Sequence, residues 1–201
     1  MNTRIVFVLL SCALSIITGL VVSRGRVVSV AKKHSKPLIG LSMDTLKEER
    51  WQSDRDMFVA RAEALGAEVK ILAANSNDNQ QIVDVNSLIT SEVDVLVIIP
   101  HNGEAMAKAV NLAHEAGIPV LSYDRLITGC DLDLYMTFDN VKVGELQAKF
   151  LADRVPPNGK LRIIRIYGSK TDNNAKLFKQ GQDNILLPLI AAGKVDRKSV
   201  V

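Results

Sequence analysis

The stretch Val93-Asp94-Val95-Leu96-Val97-Ile98-Ile99-Pro100 decides the fold. It is a nearly uninterrupted apolar run of strand length, closed by a proline. A strand with one wet face would alternate apolar and polar residues. A continuous run is the mark of a strand buried on both faces, as in a parallel sheet covered by helices. Working outward, residues 79–90 space Ile82, Val85 and Ile89 as one helical stripe, and residues 103–116 read as a helix closed by Gly117. Further toward the N-terminus, strands are predicted at 38–42 and 68–73. The helix between them, 49–65, carries Trp51, Phe58, Ala62 and Leu65 on one stripe and ends at Gly66. Toward the C-terminus come strands at 119–123 and near 135–137, a helix at 140–154, a strand at 161–167 and a helix at 173–187. Strand and helix alternate throughout. Right-handed βαβ units follow, and with them an α/β class, doubly wound, open parallel sheet.

The breaker cluster Pro156-Pro157-Asn158-Gly159 is the strongest internal boundary. It divides a first α/β lobe, 37–157, from the start of a second, 158–195. Residues 196–201, Asp-Arg-Lys-Ser-Val-Val, back-translate as GAT CGG AAG AGC GTC GTG. Followed by TAG, this reproduces a common short-read sequencing adapter with an in-frame stop. The expectation is that this tail is an artefact and that the frame is cut near Val195.

Composition excludes several classes. With 47% hydrophobic and 23% charged residues the chain can build a core, and with only 4% aromatics it lacks an aromatic-rich interaction surface. The formal net charge of +3 is unevenly placed. Arg4, Arg24, Arg26, Lys32, Lys33 and Lys36 all lie in residues 1–36, which hold no acid; removing these six leaves −3 for residues 37–201. A mildly acidic body is a poor partner for nucleic acid. Of the two cysteines, Cys12 sits in an apolar run, so no disulfide with Cys130 is expected. His34, His101 and His114 form no H-x-x-x-H pair, which removes the usual zinc-enzyme signature.

Residues 5–22, IVFVLLSCALSIITGLVV, carry no charge. That length is at the lower limit for spanning a bilayer and long for a signal-peptide core. Residues 1–36 are therefore expected to be a membrane anchor, or a cleaved signal, with a linker. The basic residues after the run argue against an exported body, since positive flanks prefer the cytoplasm. The body's cleft chemistry is given more weight.

In open α/β sheets, ligands bind outside the carboxyl ends of the strands. That rule points to loops 43–51, 100–103, 124–131 and 168–174. The first holds Arg50-Trp51: an indole face can stack on a sugar ring, or Trp51 can simply open the buried stripe of its helix. The second holds Asn102, a good helix N-cap. The third holds Asp124-Arg125. A carboxylate accepts from neighbouring hydroxyls and a guanidinium fork donates to two oxygens, which suits a polyol; the alternative is a local ion pair worth little. Phe138-Asp139-Asn140 reads as a helix start. The fourth loop, Gly168-Ser169-Lys170-Thr171, imitates the end of a phosphate loop, but Ile163 stands where that motif needs glycine. Asp172-Asn173-Asn174 follows, with capping and ligand contact both open. No G-x-S-x-G, G-x-G-x-x-G or spaced carboxylate pair is present, so no enzyme is expected.

Taken together, several segments resemble the periplasmic sugar-binding protein family, its D-xylose-binding members above all. They are Glu49-Arg50-Trp51-Gln52 with Asp54-Arg55-Asp56, Leu65-Gly66-Ala67, VDVLVIIP with Asn102-Gly103, Tyr123-Asp124-Arg125, Phe138-Asp139-Asn140, VGELQAK, and Asp172 to Phe178. The resemblance runs from about Leu38 to Leu189. It implies two α/β lobes that close on one monosaccharide. Trp51 would stack on the pyranose, and Arg50, Asp124 and Arg125 would bond its hydroxyls. Asp172, Asn173 or Asn174 would reach in from the second lobe. No metal or organic cofactor is implied. The implied role is extracytoplasmic: the receptor of an ABC sugar importer or, alternatively, a membrane-anchored xylose sensor docking on a histidine kinase. A sugar-responsive repressor shares the fold, but an apolar span stands here where its helix-turn-helix would be. Family members continue well past this chain's last residue. As written, it is expected to present half a cleft and to bind sugar weakly or not at all.

Overall fold

The computed structural model describes residues 34–200. The expectations for residues 5–22 and Cys12 fall outside them. Among the described residues, no helix is long and apolar enough to cross a membrane.

Five parallel strands form the main sheet: β1 (Leu38–Met43), β2 (Glu68–Ala73), β3 (Val95–Ile98), β4 (Val120–Tyr123) and β5 (Leu134–Met136), in the order β2-β1-β3-β4-β5. Three helices connect the first four strands: α1 (Glu49–Ala64), α2 (Asp78–Thr90) and α3 (Ala107–Glu115). The strand alternation sorts side chains between two faces. Val97 and Ile99 join Leu41, Met43 and Trp51 on the face covered by α1. Leu96 and Ile98 join Val85, Leu88, Val110, Ala113 and Val120 on the face covered by α2 and α3. This is why VLVI is apolar without interruption: both of its faces are interior. Leu96, Ile98, Val85 and Leu88 are fully buried, and each such side chain contributes roughly 1.5–3 kcal/mol of burial.

The predicted stripe of α1 holds for Trp51 and Ala62, whereas Leu65 is exposed. Leu65 is the C-cap, and Gly66 follows at φ +84°. The chain leaves the helix there, so Leu65 no longer shares the stripe's direction. The segment before α3 is a turn rather than a full helical lead-in. Asn102 closes it, its side-chain oxygen accepting from the Glu104 and Ala105 amides.

A second substructure follows: α4 (Asn140–Ala152), β6 (Leu161–Ile166), α5 (Asn173–Ala191) and β7 (Val195–Val200), with β6 and β7 paired in parallel. Its core is Ala148, Ile163, Leu186 and Val195, flanked by Leu151, Val155 and Leu189. Helix α4 therefore shares its core with α5 and β6. The change of core falls between β5 and α4, ahead of the Pro156-Pro157 cluster at which the sequence reading divides the lobes. That cluster forms the connection from α4 into β6.

Two glycines make the α4–α5 packing close. Gly144 lies against the Phe178 carbonyl and Gly181 against the Val141 carbonyl; a Cβ at either would overlap that backbone. Helix α5 runs through Pro188 to Ala191, one turn beyond its expected end, because Leu189 and Ile190 still pack on the core. Strand β7 was not predicted. Its backbone, which includes residues 196–200 of the tail expected to be an artefact, pairs with β6 from Leu161↔Val195 to Ile166↔Val200.

Candidate functional site

Sheet order reverses between β1 and β3, which run side by side while their connections go to opposite edges. Such a switch point opens a crevice at the carboxyl ends of the strands. Residues after β1, β3 and β4 meet there.

Asp124 follows β4 directly. Its φ of +63° is left-handed, a conformation that aspartate tolerates better than most residues and that recurs at functional sites. Three contacts hold the turn: the Asp124 amide donates to the Met136 carbonyl at 2.8 Å, the Arg125 amide to the Tyr123 carbonyl at 2.8 Å, and the Ser122 hydroxyl to the Arg125 carbonyl at 2.5 Å. The Asp124 side chain is 6% exposed. One carboxylate oxygen accepts from Arg50 Nη2 and the other from Asn174 Nδ2 at 2.8 Å. The same Asn174 amide donates to the Asp124 carbonyl at 3.1 Å, and Asn140 Nδ2 donates to Asn174 Oδ1 at 3.0 Å.

Arg125 points the other way. Its Nη1 donates to Asp44 Oδ2 at 2.7 Å and to the Pro100 carbonyl at 3.2 Å. Its Nε lies 3.4 Å from Asp172 Oδ2. Asp172 also caps α5, its Oδ1 accepting from the Asn174 amide at 2.9 Å, so capping and a cross-substructure ion pair coexist in one side chain. Trp51 is 5% exposed and belongs to the core under α1. The Arg50 and Arg125 guanidinium carbons lie over its ring, 4.4 and 5.4 Å from the centroid. Trp51 thus anchors the buried stripe of its helix, with its ring beside both arginines.

Six of the seven expected residues come together: Arg50, Trp51, Asp124, Arg125, Asp172 and Asn174. Asn173 does not join them; its side chain is half-buried on α5 without a contact to the group. Four further residues join this group that the sequence did not mark as ligand contacts. Asp44, its side chain 5% exposed, directly follows β1 and holds Arg125. His101 Nδ1 lies 2.9 Å from Asp44 Oδ1 but out of line for a hydrogen bond, leaving both atoms without one. Gln81, fully buried, donates to the Ile99 carbonyl at 2.8 Å and accepts from the His101 amide at 2.9 Å, which fixes the loop after β3. Asn140 is buried and bridges to Asn174, while its neighbour Asp139 does the capping. Beside the site, burial, reinforced by the Asp54 carboxylate, pushes the Tyr123 phenol above its ordinary range despite the opposing charge of Arg50.

Chemically, the group offers two guanidinium forks, three carboxylates, three amides and an imidazole around an indole. Each arginine is matched by carboxylate, so little positive charge remains for an anionic ligand. A neutral molecule with alternating donors and acceptors fits this lining better. Among the described residues no group of three or more His, Cys, Asp or Glu side chains could hold a metal ion.

Comparison with known proteins agrees with this geometry. Residues 39–200 match the periplasmic binding protein domain family. The chain is 53% identical over 163 residues to the D-xylose-binding periplasmic protein of Haemophilus influenzae, covering 81% of this chain and 48% of that protein. It is 48% identical to the Escherichia coli D-xylose-binding periplasmic protein over the same share of each. Among solved structures, a carbohydrate transporter solute binding protein from Chloroflexus aurantiacus in complex with D-glucose superposes with a TM-score of 0.75. It is 37% identical, over 80% of this chain and 47% of that one. The chain thus spans about half the length of the curated relatives it matches. On the matched domain, and on a switch-point site built as described, the chain belongs to the periplasmic binding protein domain family.

Proposed function

We propose that the chain carries the first part of an extracytoplasmic monosaccharide receptor, with D-xylose as its ligand, serving an ABC importer. The observation that supports this most is the network joining Arg50, Asp124 and Asn174 to Arg125, Asp44 and Asp172 across two substructures. It places paired donors and acceptors from both sides around one point. High identity to proteins named for D-xylose supports the choice of sugar.

In this reading the polar groups that now bond each other exchange those bonds for bonds to sugar hydroxyls. Asp124 accepts from adjacent hydroxyls while Arg50 and Arg125 donate to them. Asp172 and Asn174 close from α5, and Asn173 follows as α5 moves. The Trp51 ring offers a flat apolar wall for the sugar's C–H face. Contacts made only when both sides meet the ligand shift the population toward closure, and the permease reads the closed surface. Residues 5–22 would anchor or export the receptor. The site binds and releases without chemistry, and no nucleic acid or cofactor takes part.

Charge-assisted hydrogen bonds contribute about 1.5–3 kcal/mol each. Arg125→Ala, which also strands a buried Asp44, should therefore weaken D-xylose binding more than tenfold. The test is calorimetric titration of the protein expressed from the complete reading frame of its locus. Unchanged affinity in Arg125→Ala would remove the central contact of the reading.

A further inference from the structure

Arg125 carries five N–H donors in a rigid plane, and the structure distributes them unevenly. Nη1 is fully engaged, by Asp44 Oδ2 at 2.7 Å and the Pro100 carbonyl at 3.2 Å. Nε faces Asp172 at 3.4 Å. Among the described residues Nη2 has no hydrogen-bond partner, so its donors are not committed to the clamp. The fork is thus clamped at one corner from beneath the site. The clamp itself is unusual: Asp44 is 4% exposed, a carboxylate sunk at the end of β1, between strands whose order reverses there. A buried carboxylate is costly unless paired. Among the described residues the cation paired with it is Arg125, while its other oxygen lies 2.9 Å from His101 Nδ1 without a hydrogen bond. A carboxylate is not needed to hold β1, since the Asp44 backbone is already fixed by its carbonyl accepting from the Ser76 amide at 3.0 Å.

We infer that Asp44 is a positioning residue for Arg125. It sets the plane of the guanidinium so that the Nη2 edge meets the ligand, and it contributes no ligand contact of its own. The inference rests on the receptor reading for the ligand's identity, but not for the clamp.

Two measurements separate those parts. The first needs no sugar. Nitrogen-15 NMR of the Arg125 guanidinium should show slow rotation about the Cζ–Nη1 bond. Rotation should be clearly faster in Asp44→Ala and intermediate in Asp44→Asn, whose carbonyl still accepts. Should Asp44→Ala fail to fold, the near-isosteric Asp44→Asn decides alone. Rotation unchanged by either substitution overturns the inference. The second is a double-mutant cycle on D-xylose affinity. Asp44→Ala should weaken binding at least tenfold in the parent protein, with Asp44→Asn recovering part of the loss. The same Asp44→Ala should change affinity less than twofold once Arg125 is alanine. An equal loss in both backgrounds means Asp44 acts on the ligand directly and overturns the positioning role. A protein that binds no D-xylose, yet frees Arg125 when Asp44 is replaced, keeps the clamp and discards the receptor reading.

Discussion

The two substructures obey the same sheet rules and reach different degrees of completion. The five-stranded sheet is clothed on both faces, and its core residues Val85, Leu88, Leu96, Ile98, Val110 and Val120 are essentially inaccessible. The two-stranded sheet of β6 and β7 is clothed on one. Ile163 and Arg165 point inward on β6, while Ile164 and Ile166 stand 66% and 83% exposed on the other face. Helices α4 and α5 compensate by packing backbone to backbone at Gly144 and Gly181. The first region is held by buried area, the second by close helix contact and by the pairing of Asp183 with Arg165 and Lys179, each at 2.6 Å. The site lies where they meet, with its rigid half on the better-packed side.

The comparison can be broken at several points. The largest effect belongs to Leu96→Ala, which should cost about 2–5 kcal/mol in chemical denaturation; a cost under 1 kcal/mol would mean that the first core is not close-packed. Gly181→Ala comes next. It should destabilise by about 1–3 kcal/mol through overpacking and should lower protection of α4 and α5 amides in hydrogen exchange while sparing β1 and β3. Equal loss in both regions would show that they unfold as one.

A pH effect sharpens the contrast further. Burial pushes the Asp183 carboxyl up, but hydrogen bonds and charge from Arg165 and Lys179 outweigh it and hold its pKa below the ordinary carboxylate range. A folded-state pKa below the unfolded one contributes stability that is fully present above the unfolded value, near 3.9. That stability disappears as pH falls through the lower folded value. Acid should therefore loosen α5 and β6, and Asp183→Asn should flatten that part of the acid transition. The smallest effect is Ile164→Ser, expected within about 0.5 kcal/mol because the residue already faces out. A large loss there would mean that this face is covered in the protein at work.

Much of the first region was legible because its signals are local. VLVI is apolar on both faces, Gly66 and Gly117 stop their helices, and the strand-end rule picked out Arg50, Asp124 and Arg125 in loops of known position. What escaped depends on distant partners. Asp44 looks like any acid after a strand, and its partner is 81 residues away. Asn140 looked like part of a cap because Asp139 beside it is one. Gln81 sits in a helix whose apolar stripe hides a polar residue that is buried only because it staples the loop after β3. A Pro-Pro break is a strong local signal, whereas the core that α4 joins, Ala148 with Ile163, Leu186 and Val195, depends on residues distant in sequence. Asn173 shares its residue type with Asn174 but not its helical direction.

Trp51 is the chain's single tryptophan, and its ring lies beside both arginines of the site. Its fluorescence therefore tests the central claim most directly. D-Xylose should be titrated into the protein from the complete reading frame, with Trp51→Phe as the blank. The account expects a saturable change assigned to Trp51 and lost in Arg125→Ala. A calorimetrically measured binding event that leaves Trp51 unchanged, or no binding at all, would contradict it.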